Sequence, residues 1–245
     1  MTQVADNFPV FTRSQRQYLG WKRFGRAIAL RGLLFHSVIS VSTINRHLIP
    51  TSGPTLIMMN HQGGLDPVVV MGAVGPRYLC VMSKIENFGV PFVSFIMRRW
   101  GCYPIRRGLV DRRALEYTLK ILAEGEMVLI APEGTRSDAL QEAKDGLAYL
   151  AIKSGAAIVP VGLRGTREAD RRLKARRFLP PTPVSLTFGR AFRFKARAED
   201  RVPRAQTAQM TREAMYQLAA LLDESQRGFY ADLSQATTDT LDFVT

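Results

Sequence analysis

The chain has 245 residues, 46% of them hydrophobic, which is enough for the core of one large α/β domain. Lys and Arg number 34 against 21 Asp and Glu, and the net charge of +13 predicts an anionic partner, namely nucleic acid, an acidic membrane surface or a phosphorylated metabolite. The two cysteines are too few for a disulfide framework and lack the spacing of a metal site, so they exclude a zinc-built fold and indicate a reducing compartment.

Residues 1–49 are predicted to hold an amphipathic, membrane-associating segment followed by the first strand. The segment carries seven basic residues and one acidic residue, and it lacks the basic start and apolar stretch of a secretory signal. Its longest apolar run, 32–44, is shorter than the roughly 20 residues of a spanning helix. The alternative is a helix that packs its apolar side onto the domain. The interfacial interpretation rests on apolar side chains set among cations: Tyr18, Trp21, Phe24, Ile28 and Leu30 among Arg16, Lys22, Arg23, Arg26 and Arg31.

Residues 50–230 are predicted to form an α/β body. Apolar runs such as TLIMM, LCVMS and MVLI alternate with helix-length segments, and a late strand and a C-terminal helix follow. Strands that are apolar throughout and separated by helices indicate a largely parallel sheet with helices on both faces. The last stretch, 231–245, has no periodicity and is predicted to be a mobile tail.

His61 stands where the first strand of the body ends, in the stretch HQGGLDP. It can meet Asp66, five positions later, only if the intervening residues bend, and Gly63 with Gly64 supplies that freedom. A carboxylate on one ring nitrogen leaves the other free to accept a proton, which describes a general base. The plainer alternatives are a turn histidine with one hydrogen bond and, since Pro67 follows, an aspartate that caps a helix.

The base needs a hydroxyl to act on, and the sequence offers no recognisable enzyme nucleophile. No GxSxG stretch occurs, and neither cysteine lies in a catalytic signature. The glycines of GWKRFG (20–25) have P-loop spacing but lack the Lys and Ser/Thr that follow in that motif. The base is therefore expected to activate a substrate hydroxyl directly.

Two further polar stretches fall at the ends of predicted strands. APEGTRSD (131–138) offers Gly134 for a tight turn and Arg136 as a two-donor phosphate ligand, and Arg107 closes the strand CYPIRR. Ligands of such sheets bind beyond the carboxyl ends of the strands. The sequence thus indicates a site for a phosphorylated alcohol, although an ordinary turn with a solvated arginine is the alternative for this loop.

The stretch from Asn60 to Gly162 resembles the glycerolipid acyltransferases of the HX4D type. HQGGLD (61–66) is similar to the HX4D motif, GCYPIRR to the second block of the family, PEGTRS to the third and IVPVG to the fourth, in the same order. The resemblance implies that His61 deprotonates the acceptor hydroxyl, oriented by Asp66. The hydroxyl oxygen would then attack the thioester of acyl-CoA or acyl-carrier protein.

The resemblance also assigns binding roles. It implies that Pro160 shapes the acyl-binding region and that no metal or other cofactor takes part. Two departures from the family pattern, Ala131 and Arg106, concern the identity of the acceptor. The implied ligands of the glycerol phosphate group are Arg107, Glu133, Gly134, Thr135 and Arg136.

The implied reaction converts lysophosphatidic acid to phosphatidic acid; its nearest variants use glycerol-3-phosphate or another lysolipid as acceptor. Expected partners are the lysophospholipid, the acyl thioester with its CoA or carrier protein, and an anionic membrane surface on its cytoplasmic face. The basic run 164–177 is either a solvated face or a contact for these anions. The alternative of another class is a non-enzymatic basic module for membrane or nucleic acid. It leaves the motifs unexplained, and without a nucleic-acid-binding signature no nucleic acid is expected.

Overall fold

Short apolar segments form the centre of the sheet in the computed structural model, which describes residues 8–27, 38–106, 108, 110–176 and 180–244. Every residue of the two central strands, Thr55–Met59 and Met127–Ile130, is buried, as expected of strands that are covered on both faces. The strands in the described ranges are β1 (Ile39–Ile44), β2 (Thr55–Met59), β3 (Leu79–Lys84), β4 (Tyr103–Ile105), β5 (Met127–Ile130), β6 (Ala157–Arg164), β7 (Thr182–Phe188), β8 (Phe192–Phe194) and β9 (Leu241–Phe243).

The sheet has the order β1-β7-β6-β2-β5-β3-β4, and β8 joins β6 to β9. The neighbours β6, β2, β5, β3 and β4 run parallel to one another, whereas β7 and β8 pair with β6 in the antiparallel sense. The prediction of a largely parallel sheet is confirmed. Its consequence is that the carboxyl ends of five strands lie along one edge, where ligands of such sheets bind.

Helices surround the sheet and connect its parallel strands, because parallel neighbours cannot be joined by a tight turn. Within the described ranges, no helix has both the length and the apolar composition of a membrane span. The helices are α1 (Leu19–Phe24), α2 (Asp66–Ala73), α3 (Pro91–Trp100), α4 (Arg112–Ala123), α5 (Gly146–Ser154), α6 (Thr166–Lys174), α7 (Arg204–Ala219) and α8 (Glu224–Arg227).

The N-terminal segment packs on the α/β body. Tyr18 and Lys22 are buried, and the Lys22 ammonium donates to Gln15 Oε1 at 2.8 Å and to Cys80 Sγ at 3.5 Å. The position of Lys22 is therefore opposite to the solvent-facing one that the sequence predicted. Helix α1 reaches Phe24, and Ile28, Leu30 and Arg31 of the predicted segment lie outside the described residues.

The predicted boundary between 1–49 and 50–230 does not separate two layers, because β1 pairs along its whole length with β7 in the same sheet. The predicted mobile tail is wrong for residues 231–244. Residues Leu241–Phe243 form β9 against β8, and Thr240 donates to the buried carboxylate of Glu213 from its amide at 2.9 Å and its hydroxyl at 2.6 Å. A three-residue strand is too short to leave a periodic pattern in the sequence.

Candidate active site

His61 and Asp66 meet in the loop that leads from β2 to α2. The ring nitrogen Nδ1 of His61 lies 2.8 Å from Oδ2 of Asp66, and the two residues are 5% and 0% exposed. A carboxylate only accepts hydrogen bonds, so this contact fixes the proton of the neutral ring on Nδ1. The other nitrogen, Nε2, is left as a proton acceptor, which is the state that a general base requires.

Asp66 serves the loop before it and not the helix after it. Besides the imidazole, its Oδ2 accepts the backbone amides of Gln62 at 2.5 Å and Gly63 at 2.8 Å. No side-chain cap bond occurs at the start of α2, although Pro67 does occupy the first turn. The prediction of a capping aspartate is therefore wrong, and the carboxylate instead folds the loop around the imidazole.

The two glycines of this loop have a different purpose from the one that the sequence suggested. Neither Gly63 nor Gly64 has a positive φ, so the bend does not need their conformational freedom. A Cβ atom at either position would lie 3.3 Å from the side chain of Asp170 in α6. The absence of side chains thus lets α6 pack closely over the loop that carries His61.

The loop after β5 holds the His61 loop from the other side. The amide of Ser137 donates to the carbonyl of His61 at 2.9 Å, and Gln62 Nε2 donates to the carbonyl of Asp138 at 3.1 Å. Gly134 has φ +69°, a left-handed conformation that favours glycine and confirms the tight turn. The two motif loops therefore form one connected structure at the carboxyl edge of the sheet.

Glu133 faces the protein interior beneath this structure. It is 3% exposed, and its Oε2 accepts the amide of Gln141 at 2.8 Å, which closes the loop on itself. Burial raises the pKa of the Glu133 carboxyl above its ordinary value, although the Gln141 and His61 amides oppose the shift. A carboxyl in this position supports the loop and is poorly placed to bind an anionic group.

A cavity of about 230 Å³ opens beside the two loops. His61 and Gly134 lie on its wall, and the cationic side chains of Arg106 and Lys144 lie there as well. The rest of the wall is mainly aliphatic and comes from the sheet, α4 and α5; it includes Val81, Met82, Leu115, Leu129, Leu147 and Leu150. The cavity therefore combines a base, cations and a lipid-like surface.

The wall offers the base no obvious nucleophile of the protein. Among the described residues that line the cavity there is no serine or cysteine. Thr118 is the hydroxyl on the wall, and it is buried and hydrogen-bonded to the Tyr103 hydroxyl at 2.8 Å and the Ala114 carbonyl at 2.7 Å. The arrangement suits direct activation of a bound hydroxyl better than formation of a covalent enzyme intermediate.

A model of the Acyltransferase family matches residues 40–164, about half of the chain, and this segment contains both loops and most of the cavity wall. The chain belongs to the Acyltransferase family. A 1-acyl-sn-glycerol-3-phosphate acyltransferase of Chlamydomonas reinhardtii is 37% identical over 133 residues, which are 51% of this chain and 39% of that protein. One of Bacillus subtilis is 26% identical over 134 residues, 55% of this chain and 67% of that protein.

A solved crystal structure has a similar fold. The 1-acyl-sn-glycerophosphate (LPA) acyltransferase PlsC of Thermotoga maritima superimposes with a TM-score of 0.59 at 20% identity and covers 92% of this chain and 83% of that one. The likeness confirms the fold. The curated matches are partial, since the segment shared with the Chlamydomonas protein spans less than two fifths of its length.

The residues predicted from the family motifs divide into three groups in this family member. His61, Asp66 and the turn at Gly134 come together as expected. Thr135 and Arg136 are exposed on the same loop, and Arg136 Nη2 would lie 3.9 Å from a Cβ atom at Gly64. Arg136 therefore reaches over the loop that carries His61, on its solvent side.

Glu133 and Pro160 do not lie where the family motifs predicted them. Glu133 points inward, as described above. Pro160 is buried in β6 opposite Met58 and does not line the cavity, so the structure does not support its role in the acyl-binding region. Arg107 lies outside the described residues, whereas its neighbour Arg106, first noted as a departure from the family pattern, is on the cavity wall.

Sequence reasoning also missed functional neighbours of the site. Asn60 is buried and makes two hydrogen bonds with the backbone of Leu163, which tie the end of β2 to β6. Lys144 lies against Gly134, with Nζ 3.3 Å from the position of a Cβ atom there. In the sequence, Lys144 stands just before the start of a helix at Asp145–Gly146. Its separation from PEGTRS gave no indication that the chain folds back and brings Lys144 against the turn at Gly134.

Proposed function

We propose that the chain moves a fatty acyl group from an acyl thioester to the hydroxyl of lysophosphatidic acid, giving phosphatidic acid. The observation that carries the proposal is the 2.8 Å contact of His61 Nδ1 with Asp66 Oδ2 at the wall of a partly cationic, partly aliphatic cavity. The similar proteins of Chlamydomonas reinhardtii and Bacillus subtilis are named as 1-acyl-sn-glycerol-3-phosphate acyltransferases, which supports this choice of acceptor.

The proposed chemistry is a single proton-coupled acyl transfer. Nε2 of His61 takes the proton of the acceptor hydroxyl as its oxygen attacks the thioester carbonyl carbon. The tetrahedral intermediate collapses to the ester and expels the thiolate, which receives the proton from His61. Asp66 stabilises the imidazolium between the two transfers and keeps Nε2 directed at the substrate.

The acceptor phosphate is proposed to bind at the sheet edge. Arg106 and Lys144 lie on the cavity wall, and Arg136 extends over the neighbouring loop. Guanidinium and ammonium groups form charge-assisted hydrogen bonds with phosphate, which are stronger than neutral ones. Arg107 stays a candidate from the family resemblance.

The acyl chain is proposed to occupy the aliphatic part of the cavity, between the sheet and helices α4 and α5. Leu115, Leu147 and Leu150 offer the apolar surface that the chain needs. We propose no resident metal or cofactor, because the thioester itself supplies the activated acyl group from acyl-CoA or acyl-carrier protein. The acceptor is a membrane lipid, so the protein is proposed to act as a peripheral protein on the cytoplasmic face of an anionic membrane.

The decisive experiment incubates the purified chain with labelled acyl-CoA or acyl-carrier protein and with lysophosphatidic acid, glycerol-3-phosphate and other lysolipids, followed by product identification by mass. Phosphatidic acid is the expected product. His61→Ala should abolish it while the circular dichroism spectrum stays unchanged, and His47→Ala, at an exposed site in the turn after β1, is the matched control. Turnover in a folded His61→Ala protein refutes the base, and a preferred acceptor other than lysophosphatidic acid refutes the substrate.

The phosphate contact has its own test. Arg136→Ala should raise the KM for the acceptor much more than the KM for the acyl donor, since only the acceptor phosphate is proposed to bind there. Arg201→Ala, which removes an exposed arginine from the loop before α7, should change neither constant. An equal rise of both constants in Arg136→Ala contradicts this role.

A further inference from the structure

Helix α3 exposes several large apolar side chains. Phe92, Phe95 and Ile96 are 74%, 51% and 50% exposed, whereas Ser94 is buried. A surface helix of a globular protein normally buries its apolar side and exposes its polar residues. The exposed apolar residues of α3 therefore call for an apolar partner outside the chain.

The apolar surface continues onto α1. Trp21 and Phe24 are 41% and 53% exposed, and the Trp21 ring packs edge-on against Phe24 at 5.5 Å and Phe95 at 6.5 Å between centroids. The two helices thus present one surface, here called the α1–α3 face. Its members are Trp21, Phe24, Val90, Phe92, Phe95 and Ile96.

Cations border the α1–α3 face at the C-terminal end of α3. The guanidinium of Arg99 lies 5.0 Å from the centroid of the Trp21 ring and 5.2 Å from that of Phe95. The neighbouring Arg98 stacks on Phe8 at 4.7 Å. Aromatic rings with arginines at their border are typical of helices that lie at the boundary between lipid headgroups and acyl chains.

The α3 end of the α1–α3 face lies toward the sheet edge that holds the candidate site. Helix α3 connects β3 to β4, so it begins at the edge that holds the carboxyl ends of these parallel strands. Met82 of β3 and Ile105 of β4 line the cavity near the same edge. Val90 and Phe92, at the start of α3, therefore lie toward the sheet edge that holds the cavity.

We propose that the α1–α3 face docks on an anionic lipid bilayer, with Phe92 and Phe95 inserted at the boundary of headgroups and acyl chains. The choice of a bilayer rests on the proposed function, because the acceptor is then a membrane lipid beside the cavity. Charge favours this partner over a second copy of the chain. Two copies joined through this face would bring together the arginines of two chains that each carry +13, whereas anionic headgroups attract them.

The first test is binding of the full chain to vesicles of phosphatidylcholine and phosphatidylglycerol, measured by sedimentation. The double variant Phe92→Gln/Phe95→Gln should bind at least roughly thirtyfold more weakly, since two largely exposed phenyl groups lose their transfer into lipid. Phe229→Gln removes a 62% exposed aromatic elsewhere and should bind like the wild type. Equal binding by the double variant, or an equal loss in the control, overturns the proposal.

Fluorescence gives a second readout that does not depend on the double variant. The chain has two tryptophans, and Trp100 is buried, so a blue shift on addition of vesicles should come from Trp21 and disappear in Trp21→Phe. A shift that survives in Trp21→Phe overturns the placement of the face. So does a dimer in sedimentation equilibrium that Phe92→Gln/Phe95→Gln dissociates, if the wild type does not bind vesicles.

The docking surface and the proposed activity can fail separately. Acyl transfer by the wild type to a short-chain lysophosphatidate, kept below its aggregation concentration, tests the chemistry without a bilayer. Vesicle binding through the α1–α3 face without any such turnover would support the surface and reject the activity. Turnover with unaltered vesicle binding in the double variant would reject the surface and keep the activity.

Discussion

Replacing Asp66 with asparagine tests the pair at the centre of the proposed mechanism. The substitution keeps the size of the side chain but removes its negative charge. In the wild type, Oδ2 of the charged carboxylate accepts hydrogen bonds from His61 Nδ1 and from the amides of Gln62 and Gly63. The substitution also offers an amide donor where the imidazole needs an acceptor. The ring can then turn its lone pair to position 66, which leaves Nε2 protonated and unable to act as a base.

The magnitude follows from the geometry. An imidazolium and a carboxylate in contact, with charge centres about 4 Å apart, attract each other by about 4 kcal/mol at an effective dielectric constant near 20. That energy is lost from the state in which His61 carries the substrate proton. Each 1.36 kcal/mol is a factor of ten in rate, so kcat should fall by about a thousandfold in Asp66→Asn.

The assay is steady-state acyl transfer to lysophosphatidic acid, with the unfolding transition monitored to show that the variant is folded. Asp170→Asn is the matched control, because Asp170 also lies against Gly63 and Gly64 but pairs with Lys174 and not with the imidazole. Its kcat should stay within about tenfold of the wild type. A folded Asp66→Asn protein with nearly normal kcat, or an equal loss in Asp170→Asn, refutes the orienting role.

Three further substitutions address the cavity and the buried carboxyls. Lys144→Met should raise the KM for the acceptor about tenfold, the value of one charge-assisted hydrogen bond, with kcat nearly unchanged; Lys153→Met, whose ammonium contacts Ala198 outside the cavity, is the control in the same kinetic assay. Burial raises the pKa of Glu133, so ionisation of its carboxyl destabilises the fold increasingly as pH rises above the usual carboxyl pKa of about 4.5. The melting temperature of Glu133→Gln should therefore increase relative to that of the wild type between pH 5 and 8. Burial acts on Glu213 in the same direction, but hydrogen bonds from Thr237 and Thr240 prevail and lower its pKa. Its stabilising effect is therefore present above about pH 4.5 and lost as pH falls through the lower folded value, so Glu213→Gln should cost about 2 kcal/mol in urea unfolding at pH 7 and less in acid.

Each of these expectations has a contrary outcome. Equal rises of the acceptor KM in Lys144→Met and Lys153→Met would show a general charge effect and remove Lys144 from the site. A melting-temperature difference between Glu133→Gln and the wild type that is constant with pH would mean that the carboxyl does not ionise in this range. A loss in Glu213→Gln that is as large in acid as at neutral pH would show that packing, and not charge, attaches β9.

The sequence predicts the strands of the parallel sheet well, because buried strands leave unbroken apolar runs such as that of β2. The pairing of His61 with Asp66 was also accessible, since a short loop between a strand and a helix leaves few other partners. The reason why glycine stands at positions 63 and 64 could not be predicted, because the side chain that packs against them, Asp170, is more than a hundred residues away in the sequence. Steric demands of distant elements leave no local pattern.

Other misses have the same origin. Lys22 looked like part of a polar face, and only the three-dimensional packing shows that Gln15 and Cys80 surround its ammonium. Glu133 belongs to a motif, but a motif does not reveal whether a side chain points to the substrate or to the interior. The sequence shows the aromatic residues of α3, but it does not show that they are exposed, because that depends on which side of the helix packs on the sheet.

The burial of Lys22 affects how any shortened form of this protein would behave. Gln15 accepts a hydrogen bond from Lys22 and donates to the Gly101 carbonyl at 3.0 Å and the Tyr117 hydroxyl at 3.1 Å. These hydrogen bonds attach the N-terminal segment to α4 and to the turn after α3. Removing that segment would open the wall over Cys80 and Tyr117 to water. Loss of sedimentation with lipid in a truncated form would thus be as consistent with a damaged interior as with a missing anchor, whereas single substitutions of outward side chains separate the two.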